Sequence, residues 1–108
     1  MGGDQKALLI AAQAGDLATV KYYLRQGIDP NQEHPETMTT PLMESVRSGQ
    51  LLVVAYLLDH GADAKQPAGF EMITPLKLAQ QTKQPAMIEL LKQHSPKRSW
   101  IRSIPFFK

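Results

Sequence analysis

The chain has 108 residues, 43% of them apolar, which is enough for one small domain with a modest core. It holds no cysteine, which excludes a disulfide framework, a thiolate metal site and a cysteine nucleophile, and fits a reducing, cytoplasmic setting. The formal charge of +2 is uneven: residues 1–96 carry eight Lys/Arg against ten Asp/Glu, while 97–108 carry Lys97, Arg98, Arg102 and Lys108 and no acid. The basic character therefore sits in the tail, and the body gives no sign of a nucleic-acid surface.

No apolar run approaches the roughly 20 residues of a membrane span. The start "MGGDQKALLIAAQAG" lacks the basic and contiguous apolar regions of a signal peptide, and its "MGG" reads as a cloning remnant. Lys6 stands where a myristoylation pattern needs Ser or Thr.

In chain order, Leu8, Ala11 and Ala12 predict one short amphipathic helix. Leu17, Val20, Tyr23 and Leu24 predict a second, closed by Gly27. "IDPNQEHPETMT" follows, rich in turn formers and too long for a tight helix connection, so it reads as a protruding turn or hairpin. Thr40 then suits an N-cap and Pro41 the first helical position, where a missing N–H costs nothing. Leu42 and Val46 share a face with Ser45, and Gly49 offers the left-handed conformation that stops a helix. "QLLVVAYLLDHG" predicts the next helix, with Leu51, Val54, Leu57 and Leu58 as its apolar stripe and Gly61 as its end. A second protruding segment, "ADAKQPAGFEMI", leads to Thr74-Pro75-Leu76 and a third helix pair.

These elements repeat. At a shift of 34 residues Thr40-Pro41-Leu42 falls on Thr74-Pro75-Leu76, Gly15 on Gly49, and "GIDPN" on "GADAK". Val20, Val54 and Ile88 form one column; Tyr23, Leu57 and Leu91 form another. Three helix pairs at a fixed period predict an all-α solenoid. The stretches "ALLIAAQAGDLATVKYYLRQGIDPN", "TPLMESVRSGQLLVVAYLLDHGADA" and "TPLKLAQQTKQPAMIELLKQH" resemble ankyrin repeats. The resemblance covers residues 4–94, in repeats at about 6–38, 39–72 and 73–94, with 95–108 as a basic, aromatic extension. It implies antiparallel helix pairs stacked side by side, with hairpin fingers projecting to one side. It also implies binding of a protein partner through the finger tips and the exposed face of the first helices.

Some positions depart from the family pattern. Met43 and Lys77 replace the usual histidine after Thr-Pro-Leu, and the first unit reads Lys6-Ala7-Leu8 instead. Met38 and Met72 occupy the place of the finger glycine, which puts the turn geometry in question, and the connections run one residue long. The third unit reads as a cap, with Gln80 and Lys92 on what would be its outer face. Lys83 stands in the Gly49 column, and Pro85 replaces Leu51, which predicts a short last helix. The first unit, entered without a finger, suits an N-terminal cap, so the array reads as complete.

Chemistry is sparse. His60 and His94 lie one period apart at helix ends, and neither they nor His34 has a partner at metal-ligand spacing. No nucleophile motif surrounds Ser45, Ser48 or Ser95, no glycine run cradles phosphate, and Glu33 and Glu36 read as solvated turn residues. Glu44 falls where the other units have Ile10 and Leu78; as a buried carboxylate it needs nearby backbone N–H groups or neutralisation. The expectation is a non-enzymatic interaction module without cofactor or metal.

Geometry nominates the first-helix ends as a partner surface: Gln13 and Ala14, Arg47 and Ser48, Gln81 and Thr82. The finger tips add Glu36, Met38, Phe70 and Met72, although the two methionines equally fit packing between neighbouring fingers. In the tail, Trp100, Ile101, Ile104, Phe106 and Phe107 among four cations fit a lid over the last repeat, a docking peptide, an anchor on an anionic membrane, or plain disorder. A membrane-peripheral adaptor, or a homo-oligomer assembled through that tail, are the alternatives to the plain interaction module.

Overall fold

The computed structural model describes residues 2–93. Their six helices run in the order α1 (Gly2–Ala14), α2 (Leu17–Arg25), α3 (Pro41–Arg47), α4 (Leu51–Asp59), α5 (Pro75–Gln81) and α6 (Pro85–Gln93). Consecutive helices pair as α1/α2, α3/α4 and α5/α6. Between pairs, α3 packs against both α1 and α5, and α4 against α2 and α6. The result is two layers, one of first helices and one of second helices, around a continuous core from Leu8 to Leu91. This is the all-α solenoid that the period predicts.

The helix starts follow from capping chemistry. Thr40 and Thr74 are extended, and their hydroxyls accept from the backbone N–H of Met43 and Lys77, each at 3.2 Å. Pro41 and Pro75 follow as first helical residues. Asp16 caps α2: its carboxylate accepts from the Thr19 hydroxyl at 2.6 Å and the Thr19 N–H at 3.2 Å. These two bonds, the hydroxyl foremost, hold the Asp16 carboxyl below the usual carboxylate range.

Gln50 and Gln84 occupy the Asp16 column in the later units and act differently. Gln50 donates its amide to the Gln13 carbonyl at 2.9 Å, and Gln84 to the Val46 carbonyl at 2.8 Å. Both bonds reach carbonyls at the end of the preceding first helix; the Gln84 amide shares the Val46 carbonyl with the Gly49 N–H at 3.1 Å. The longer amide thus trades a cap on its own helix for a bond to its neighbour. Gly15 makes this approach possible: a Cβ there would lie 2.4 Å from the Gln50 side-chain oxygen, and its φ is +75°. Asn31 ties the loops in the same sense, donating to the Gly61 carbonyl and accepting from the Asp63 N–H at 2.7 Å.

The connections form hairpin turns. In the first, the His34 N–H donates to the Thr39 carbonyl at 2.9 Å; in the second, the Ala68 N–H donates to the Ile73 carbonyl at 3.0 Å. Met38 and Met72 hold φ of +59° and +52°, so the chain keeps the left-handed turn that a glycine would make more cheaply. Lys83 does likewise at +55° in the Gly49 column.

Three local expectations need correction. Leu51 is 41% exposed and Val53 is buried in its place, because α4 is covered from both neighbouring units and its buried face is displaced toward Val53, Val54, Leu57 and Leu58. The last helix is not short: α6 has nine residues, as α4 does, since Pro85 sits at its first position, where proline favours a helix. Neither methionine is enclosed between the fingers, for Met38 is 39% and Met72 60% exposed. The fingers are joined by backbone instead, with the Gly69 N–H donating to the Met38 carbonyl at 2.7 Å.

Candidate functional site

Arg47 and Ser48 end α3 and Gln81 ends α5; all three side chains are exposed. Phe70 stands at the second finger, 81% exposed, with Met72 beside it and Met38 on the adjoining finger. The Gly69–Met38 hydrogen bond fixes the two fingers to each other next to Phe70. That bond restrains the backbone beside Phe70 and leaves its side chain free in solvent.

Two nominated residues are committed to the fold. Gln13 donates its amide to Glu44 Oε1 at 2.6 Å while its own carbonyl accepts from Gln50. Thr82 donates to the Leu78 carbonyl at 2.8 Å and accepts from the Gln84 amide at 2.7 Å. Glu44 is buried, and the expected backbone N–H partners are replaced by the Gln13 side chain from the preceding unit. Hydrogen-bonded on one oxygen, this carboxylate links α1 to the neighbouring α3 within the layer of first helices.

The chain pattern passed over one feature. Ile10 is 54% exposed on α1 and borders a concavity of about 310 Å³ with Lys6, Leu9, His34 and Glu36. Its column mates Glu44 and Leu78 are buried, and only its place in the first unit exposes it. His34, under the first finger, accepts the Glu36 N–H at Nδ1 at 3.2 Å, with Nε2 3.9 Å from the Glu36 carboxylate. His60 is exposed and stacked on Tyr56. Among the described residues no three His, Cys, Asp or Glu side chains are grouped to hold a metal, and no helix is long and apolar enough to cross a membrane. Trp100, Phe106, Phe107 and His94 lie outside the described residues.

No curated protein matches the chain at a significant level. A family model of ankyrin repeats, in three copies, matches residues 5–99. With six helices among the described residues, in three stacked pairs with hairpin turns between them, the chain belongs to the ankyrin-repeat family.

Proposed function

We propose that the protein recognises a protein partner through its finger tips and the open ends of its first helices, with Phe70 and Arg47 as the principal contacts. Ankyrin repeats generally serve as protein–protein interaction modules without catalytic activity. One observation carries the residue-level reading: Phe70 is almost fully exposed on a finger whose backbone is bonded to its neighbour. A free apolar side chain of that size on a braced turn costs solubility, and a partner that covers it recovers the hydrophobic free energy. Met38 and Met72 add adaptable apolar area, Arg47 a planar donor set, and Ser48 and Gln81 polar groups at the edge.

Affinity capture with mass spectrometry tests the proposal, comparing the intact chain with Phe70→Ala/Arg47→Ala after circular dichroism shows equal helicity. The double substitution is expected to deplete the specific partners. An unchanged captured set removes this surface from consideration.

A further inference from the structure

The second-helix layer carries a groove of about 520 Å³ between the C-terminal halves of α2 and α4, floored in part by the start of the first connection, residues 27–30. Lys21 and Arg25, one turn apart on α2, line one wall; Tyr56 and His60, one turn apart on α4, line the other. Lys21 Nζ lies 5.5 Å from the Tyr56 ring centre, and the His60 ring stacks on Tyr56 at 3.9 Å and 20°. Among the described residues neither Lys21 nor Arg25 has a carboxylate within ion-pair distance. The lining includes one acid, Asp29, whose carboxylate accepts from the Asn31 N–H at 2.8 Å. Two cations against this one carboxylate leave the groove net positive, in a body with more acids than bases.

His60 adds a directional group. A carbonyl only accepts, so the 2.9 Å contact between His60 Nδ1 and the Tyr56 carbonyl places the proton on Nδ1. In the neutral ring Nε2 is then an acceptor, suited to an incoming N–H. One turn before Tyr56, Leu52 is 75% exposed and extends the same helix face with an apolar side chain.

We infer that this groove docks an acidic segment of a protein partner, with carboxylates on Lys21 and Arg25, a backbone N–H on His60 Nε2, and an apolar side chain against Leu52 and Tyr56. Charge complementarity selects this occupant. The chain's own basic tail carries the wrong sign, and a concave slot with an aromatic wall admits side chains where a flat lipid surface meets only its rim. The groove is separate from the finger surface, and its occupancy does not depend on Phe70.

The test titrates the full chain against a fluorescein-labelled decapeptide of Glu and Asp around a central Leu-Phe, read by anisotropy and by ¹⁵N amide shifts. Saturable binding is expected, with shifts confined to residues 21–30 and 52–61. Raising NaCl from about 50 to about 300 mM is expected to weaken it several-fold. Lys21→Glu/Arg25→Glu is expected to raise Kd roughly tenfold or more, Lys21→Gln/Arg25→Gln by less, while Phe70→Ala/Arg47→Ala leaves Kd unchanged. The Gln pair keeps the test decisive if charge reversal disturbs the fold. An unchanged Kd in the Gln pair, or shifts mapping to the fingers, overturns the inference. So do shifts at the groove from inorganic phosphate or phosphatidylserine vesicles with none from the peptide.

Discussion

Helices α3 and α5 have the same length and the same Thr-Pro-Leu opening, yet they sit in different surroundings. In α3 every residue from Pro41 to Val46 is buried; in α5 Leu76 is half-buried and Lys77 and Gln80 are exposed. Leu42 and Leu76 occupy equivalent positions, but Leu42 is only 2% exposed because units press on α3 from both sides. The helix code is alike in the two, and burial is supplied by position in the stack. Stability in such an array is then a sum of unit and interface contributions, with the middle unit counted at two interfaces.

The sharpest break of this comparison is the matched pair Leu42→Ala and Leu76→Ala. The first is expected to cost about 2–5 kcal/mol, the second about 1–2 kcal/mol, in proportion to the smaller area it keeps from water. Urea unfolding measures both, and equal costs would mean that the third unit is covered as fully as the second. Next comes the buried carboxylate. Gln13→Ala strips Glu44 of its donor and is expected to cost about 1–3 kcal/mol, while Glu44→Leu, matching Leu78 in its column, stays within about 1 kcal/mol of the parent. A double-substitution cycle in urea isolates the coupling between the two.

Capping gives a smaller contrast. Thr40→Ala and Thr74→Ala remove equivalent hydroxyl bonds, and each is expected to cost about 1 kcal/mol. A much larger loss at Thr40 would show that its burial, deeper than that of Thr74, contributes beyond the cap. Smaller still is a gain: Lys83→Gly relieves a left-handed non-glycine residue and is expected to add about 0.5–1 kcal/mol. The reverse exchange, Gly49→Lys, is expected to destabilise, since φ there is +73° and a Cβ would meet the Gln84 amide oxygen at 3.3 Å.

The smallest effect concerns pH. The folded-state value of the Asp16 carboxyl is depressed, so its contribution is full above the unfolded value of about 3.9 and is lost as pH falls through the folded value. Asp16→Ala is expected to lower the melting temperature at neutral pH and to flatten the acid limb. The two melting curves then converge toward pH 2. Parallel curves across that range would mean that Asp16 contributes nothing through its charge.

Much of the candidate surface was legible because it sits at repeat positions: Arg47, Ser48, Gln81 and Phe70 are exposed where the stacking pattern puts them. Gln13 and the methionines were misplaced because contacts between units, through side chain or backbone, decide their surroundings. Gln13 reads as a surface amide until the Glu44 carboxylate, 31 residues on, accepts its side-chain N–H. Met38 and Met72 suggest packing between fingers, but the fingers close through a backbone bond that needs no side chain. The groove at Lys21, Arg25, Tyr56 and His60 joins two units and follows no period, so no alignment of the chain with itself reveals it.

Local chemistry along the chain was sufficient for the helix pairs, their caps and their spacing, because each depends on residues within a turn or two of one another. Which face of each helix meets water was decided only when the units stacked, as the contrasting fates of Ile10, Glu44 and Leu78 in one column show. A column prescribes a direction in space, and whether another unit lies in that direction depends on the assembled stack.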